Sequence, residues 1–300
     1  MLSFIIGASA LLAGQAAGAC TRELLGDVAT KFIASAKVDG NTFKAATGLK
    51  YSENYKDANI ASGVYSKAIN VNYTSTLLDA TACGVYVEII APDNKPGYQL
   101  ATQIFVNADG AANKVEVVVT SDDPSWPSWF YNGKRALEIA LKDQQSGLRK
   151  ELPEAQRPSR EHLKSVADGY FTIFGGKDKK IPNFSKGCLR QEGGFPKQLD
   201  CTLGVPKASQ AKGSLPSCGT TTASTPHPDI RGYIIDETVG TVEVFSKFQG
   251  APDSHDFRVE NCEVVAVHAV TTTLGGKSGS GSKFGGGGKS GNGAKMGGGA

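Results

Sequence analysis

Histidine, tryptophan and methionine are scarce in this chain, and each scarcity closes a route. The four histidines, His162, His227, His255 and His268, are dispersed, and the six cysteines are even in number, so no His/Cys cluster is left to hold a metal. No G-x-S-x-G turn occurs and no thiol remains once the cysteines pair, which removes two familiar nucleophiles. The one G-x-G-x-x-G spelling, Gly286 to Gly291, has no strand before it and no helix after it, so it is no nucleotide cradle. No cofactor is implied. Beyond the first residues no apolar run is long enough for a membrane helix, so no membrane contact is expected. From Leu274 onward there is no acidic residue at all.

What is present begins with the ends. Leu2 to Ala13 is an apolar run followed by Ala17-Gly18-Ala19, a small-x-small cleavage pattern, and reads as a secretory signal peptide over residues 1–19. It carries no Lys or Arg ahead of the apolar core. Residues 274–300 hold 13 of the 37 glycines together with Lys277, Lys283, Lys289 and Lys295, a composition that reads as a disordered tail. Removing those four lysines from the formal charge of +3 leaves −1 for the rest. The folded part therefore has no electrostatic case for nucleic acid, while the tail can attract a polyanion or a cell wall weakly. An even cysteine count behind a leader implies disulfides and an extracellular, secreted protein. Cys20 with Cys83 is the favoured clasp in the first half, with Cys188, Cys201, Cys218 and Cys262 pairing among themselves. Asn72-Tyr73-Thr74 and Asn183-Phe184-Ser185 are sequons consistent with a glycoprotein.

Between the ends the pattern is α+β. Leu24, Leu25, Val28, Ala29, Phe32 and Ile33 recur at helical spacing, and Leu49 to Tyr55 reads as a short strand. Thr81–Ala91, Gln99–Asn107 and Lys114–Thr120 read as an antiparallel meander, completing a first domain over residues 20–121. Residues 122–157 form a connector with a short helix from Leu137 and an aromatic knot holding Trp126 and Trp129, the only tryptophans. The knot reads as packing between halves, with a sugar-stacking platform as the alternative. A second domain over residues 158–273 then replays the first. Leu163, Val166, Ala167 and Tyr170 repeat the face of Leu25, Val28, Ala29 and Phe32, and Leu189 to Gly193 falls where Tyr51 to Asn54 stood. Ala91-Pro92-Asp93 returns as Ala251-Pro252-Asp253. Arg231 to Val270 reads as three closely packed strands.

At LKYSENY, DGYFTIFGGKDKKIPNF with CLRQEGG, and GAPDSHDFRVE with VHAV, the chain resembles a group of secreted fungal proteins with SnoaL-like domains. These sit within the nuclear-transport-factor-2-like (NTF2-like), ketosteroid-isomerase-like superfamily, and the resemblance covers most of Cys20 to Thr273. It implies tandem cone-shaped domains, each a curved antiparallel sheet with N-terminal helices. It also implies a small-molecule ligand, with isomerase, cyclase or dehydratase chemistry or binding alone.

Candidate residues follow from strand alternation. Val264, Ala266, His268 and Val270 share one face of the last strand, and Tyr233 lies with Ile235 on the first. If both faces line the second cone, His268 and Tyr233 form a proton-transfer pair; otherwise His268 is a core histidine. Asp253, His255 and Phe257 share one side of the penultimate strand and Asp256 and Arg258 the other. Asp253 can then orient His255 at the pocket mouth, with Arg258 holding an anion, against the plain reading of a turn and a surface Asp256–Arg258 ion pair. Glu53 and Glu192 occupy equivalent places on the first strand of each half, where a desolvated carboxylate can accept a proton or simply bond a neighbouring backbone.

Overall fold

The computed structural model describes residues 20–40, 42–43, 45–123, 131–175, 181–195, 199–202, 227–248 and 250–272. The leader, Trp126 and Trp129, Cys218 and the lysine tail therefore lie outside the described residues. Helix α1 (Arg22–Ala36) precedes β1 (Ala45–Glu53), the two-residue β2 (Lys56–Asp57), β3 (Tyr73–Asp79), β4 (Gly84–Ala91), β5 (Tyr98–Val106) and β6 (Ala112–Ser121). A connecting helix α2 (Gly133–Ser146) leads to α3 (Arg160–Gly175) and then β7 (Phe184–Glu192), β8 (Leu199–Asp200), β9 (Ile230–Asp236), β10 (Thr241–Phe248), β11 (Ala251–Glu260) and β12 (Glu263–Thr271). The strands form two six-stranded sheets of identical order, β2-β1-β6-β5-β4-β3 and β8-β7-β12-β11-β10-β9. In each, only the first long strand pairs in parallel, with the last.

The helices start where side chains cap them. Thr21 Oγ1 accepts from Leu24 N at 3.1 Å, Asn132 Oδ1 from Arg135 N at 3.1 Å, and Ser159 Oγ from His162 N at 3.2 Å. The predicted helical faces are the buried ones: Leu25, Val28, Ala29 and Phe32 pack on the first sheet, and Leu163, Val166, Ala167 and Tyr170 on the second. Helix α2 ends at Gly147, whose φ of 80° admits the left-handed conformation only glycine adopts freely.

The repeat is stricter than the sequence suggested. Between Ala45 and Lys50 the β1 register slips against Ala112 and Lys114, and between Phe184 and Leu189 β7 slips against Val264 and Ala266 in the same way. Gly48 and Gly187 sit at the same place in these two irregularities, with φ of 78° and 95°. Such bulges bend a strand and sharpen its twist. Two expectations need correction. Arg231 to Val270 carries four strands rather than three, because Gly250 makes a tight turn that separates β10 from β11. Strand β3 was not foreseen at all. The two Ala-Pro-Asp words are not equivalent either, since Ala91 closes β4 whereas Ala251 opens β11.

The sheets pack face to face through Leu77, Tyr86, Ala101 and Val118 from one and Ile234, Val239, Phe245 and Val270 from the other. Two aspartates fix the arrangement reciprocally. Asp79, at the end of β3, accepts from Ile235 N of the other sheet at 2.9 Å and takes both terminal nitrogens of Arg160, at 2.7 and 2.9 Å. Asp236, at the end of β9, accepts from Leu78 N at 2.9 Å and from Arg22 at 2.7 Å. Each carboxylate also caps the turn that follows its own strand, through Ala82 N or Thr238 N. The disulfide Cys20–Cys83 ties α1 to the β3–β4 turn and Cys188–Cys201 ties β7 to β8, while Cys262 is also disulfide-bonded. Among the described residues no helix is long and apolar enough to cross a membrane.

Asp79 and Asp236 are 0% and 1% exposed, so removing either carboxylate strands an arginine and a backbone N–H at the contact between sheets. Asp79→Ala and Asp236→Ala should each cost about 3 kcal/mol in urea unfolding of the oxidised protein. Losses under about 1 kcal/mol in both would show that the apolar face alone holds the sheets together.

Candidate active site

The interior of the second half, between α3 and the second sheet, gathers four groups that strand alternation places on one side. On β11, Asp253 Oδ2 lies 2.5 Å from His255 Nδ1, and both residues are buried. Asp253 is itself held by Ser246 Oγ at 2.8 Å and Thr271 Oγ1 at 2.6 Å, donated from the strands on either side. Its backbone oxygen accepts from Tyr55 of the first half at 2.9 Å. The imidazole is surrounded by the rings of Tyr170, Phe171, Phe248 and Phe257, with centroids 5.5, 5.5, 5.7 and 5.9 Å away. Among the described residues Nε2 has no hydrogen-bond partner.

Burial works against a charge on His255, but the Asp253 carboxylate outweighs it, and the net effect is a raised pKa. The carboxylate of Glu192 adds to that field and the guanidinium of Arg190 opposes it. Arg190 Nε lies 2.9 Å from Glu192 Oε1, and its Nη1 donates to Tyr170 at 3.0 Å. The chain thus brings Asp253, His255, Glu192, Arg190 and Tyr170 to one apolar interior. In the sequence nothing marks Arg190 and Tyr170 beyond their strand and helix positions, and the i, i+2 spacing of Arg190 to Glu192 on β7 is the one signal.

The other candidates go elsewhere. His268 and Tyr233 are on opposite faces of the sheet and form no pair. The cause is a bulge: Arg258 stands opposite Ala266 and Val259 opposite Val264, so Val265 is extra. Val264 then turns toward α3, while Ala266, His268 and Val270 turn toward the first half. His268 Nδ1 lies 3.5 Å from Glu88 and 3.7 Å from Asp256, and its Nε2 lies 3.4 Å from the side-chain nitrogen of Gln99. Tyr233 donates to Asp168 of α3 at 2.6 Å.

The expected surface pair of Asp256 and Arg258 is also corrected. Both are buried; Asp256 accepts from Arg149 at 2.7 Å, and Arg258 donates to Glu260 at 2.9 and 3.0 Å and to Lys150 O at 3.1 Å. Glu53 accepts from Tyr51 and from Val64 N, both at 2.5 Å, and so pins a short 3-10 turn, Val64–Ser66, to β1. It does not share the environment of Glu192. Among the described residues no three His, Cys, Asp or Glu side chains converge as a metal-ligand set.

Fold and site together define an α+β protein of two like sheets packed face to face, the second enclosing an oriented Asp–His pair. Residues 156–271, from just before α3 to the end of β12, match a family model described as a domain of unknown function (DUF8021). No curated protein matches the chain.

The His268 cluster makes stability depend on pH. Burial alone would lower the His268 pKa, yet Glu88 and Asp256 raise it to about 9. The resulting contribution is complete below the unfolded value near 6.5 and is lost as pH rises through about 9. Burial likewise acts to raise Asp256, but Arg149 and His268 bring it down to about 2, so its share is present above about 4 and is lost as pH falls through about 2. Between pH 6.5 and 10 the protein should lose roughly 3 kcal/mol relative to His268→Gln in denaturant unfolding. Parallel curves for the two proteins would contradict this.

Proposed function

We propose that the protein is a secreted tandem of NTF2-like, SnoaL-like domains whose second domain carries out cofactor-independent acid–base chemistry on a small, largely apolar molecule. The strand order supports the fold part of this reading. Each half is an antiparallel meander covered by a helix, in keeping with the resemblance, but its first long strand joins in parallel, so each sheet is mixed where the resemblance implies an antiparallel one. The disulfides and the leader-like first residues support secretion.

The observation that carries the chemical reading is the 2.5 Å contact between Asp253 and His255 within four aromatic rings. A carboxylate on Nδ1 fixes the orientation of the ring and directs Nε2 away from it, which is what a general acid or base requires. With its pKa raised, His255 acts as the donor, protonating or polarising a carbonyl oxygen from Nε2. Glu192, whose carboxylate lies 2.9 Å from Arg190 Nε, takes the proton from the adjacent carbon. The rings supply a low-dielectric surround in which these charges act strongly. His268, Tyr233, Arg258 and Glu53 have no part in this step.

A proton removed next to a carbonyl is common to isomerisation, cyclisation and dehydration, so exchange reports on all three. Incubated in D2O with a panel of cyclic ketones, the protein should speed exchange of α-protons for at least one of them. His255→Gln and Asp253→Asn should each reduce that rate roughly a hundredfold or more, with the unfolding transition still cooperative. A panel without any enhanced exchange, or variants that exchange as fast as the parent, would leave the pair as a structural contact and the domain as a binding module.

A further inference from the structure

A second set of polar groups lies on the opposite face of β12, away from the Asp253–His255 interior. A cleft of about 130 Å³ opens between the C-terminal turn of α2 and strands β7, β11 and β12, lined among others by Arg149, Leu189, Gln191, Asp256, Arg258 and His268. Helix α2 is held in place through Ala136 and Ala140 against Tyr73 and Ile90 of the first sheet. The left-handed Gly147 then turns the chain so that Arg149 meets Asp256.

Most charges in the cleft are matched. Arg149 Nη2 is taken by Asp256, Arg258 Nε and Nη2 by Glu260 and Lys150 O, and His268 by Glu88 and Asp256. Asp143, also in the lining, is pushed toward its neutral form by burial. Three groups are left over. Arg149 Nη1, Arg258 Nη1 and Gln191 Oε1 are buried and have no hydrogen-bond partner among the described residues. Arg258 is 2% exposed and Gln191 3% exposed. The Gln191 amide is not free to reverse these roles, because its nitrogen donates to the backbone oxygens of Gly193 and Phe195. Burial disfavours the charge on Arg258, the Glu260 carboxylate opposes this, and the guanidinium of Arg149 adds a smaller push in the same direction as burial. Each guanidinium thus has its carboxylate but keeps one unused N–H, and a buried unpaired group costs about 1–3 kcal/mol.

We infer that this cleft binds a small hydroxy-carboxylate, its carboxylate between Arg149 Nη1 and Arg258 Nη1 and its hydroxyl donating to Gln191 Oε1. The carboxylate offers two acceptor oxygens for two unused donors, and the hydroxyl offers the one donor the amide oxygen lacks. The ligand is chemically unlike the apolar molecule suited to the aromatic interior, so the two sites serve different molecules or an anion that regulates the other.

Glycolate, acetate and glycolamide test this by isothermal titration into the full oxidised chain at low ionic strength. Glycolate should bind more tightly than acetate, which lacks the hydroxyl, and glycolamide, which lacks the charge, should bind weakest. Arg258→Gln should weaken glycolate roughly tenfold or more, the loss expected for one charge-assisted hydrogen bond. Leu189→Trp, at a residue that is 43% exposed in the cleft lining, leaves both guanidinium groups and should also abolish binding, which decides the matter if Arg258→Gln fails to fold. The inference is overturned if glycolate does not bind, if glycolamide binds as well as glycolate, or if Leu189→Trp binds glycolate unchanged.

Discussion

Everything in this molecule depends on two buried aspartates that each complete the other half of the chain. A strand at the edge of a sheet exposes backbone N–H groups, and β3 and β9 are such strands. Asp79 and Asp236 remove the exposure by reaching across, each accepting the edge N–H of the opposite sheet and the arginine that opens the opposite helix. The arrangement is isologous in the way of a two-fold dimer, although one chain provides both sides. Each helix-start arginine finds its buried carboxylate on the other half, Arg22 on Asp236 and Arg160 on Asp79.

That shared face carries more than apolar side chains. Glu243 of β10 accepts from Gln103 of the first sheet at 2.7 Å and from Ser254 at 2.8 Å, and burial raises its pKa well above the carboxylate range. Burial favours the neutral carboxyl here because an ionised group between the sheets is costly. His268, by contrast, is kept charged there by Glu88 and Asp256. A half-buried histidine therefore links the two halves, whereas the other histidine of the same sheet meets its carboxylate inside the fold.

One inserted residue separates those two fates. The bulge at Val265 reverses the parity of β12, so residues that alternation places together, Val264 and His268, look to opposite sides. Strand β11 has no such break over Asp253 to Phe257, and there alternation correctly assembles Asp253, His255 and Phe257. The interior pair and the outer cleft are thus back-to-back products of the same two strands, and α2 completes only the outer one.

Helical periodicity alone determined the buried faces of α1 and α3, because packing on a sheet requires apolar residues every three to four positions and little else supplies them. The antiparallel character of each meander was readable from the chain for similar local reasons, whereas Cys20–Cys83, 63 residues apart, was only the favoured one of several pairings. The contact of Asp253 with His255 was readable too, since an i, i+2 pair on a strand needs no long-range information. Tertiary structure decided the rest. Asp79 and Asp236 look like ordinary turn residues, Arg149 like a surface connector residue, and Val265 like any strand valine. Their roles arise from residues more than seventy positions away, or from a register shift that side-chain chemistry does not announce. A bulge changes which face a residue occupies while leaving its hydrophobicity untouched, and for that reason the location of His268 could be known only once the strands were paired.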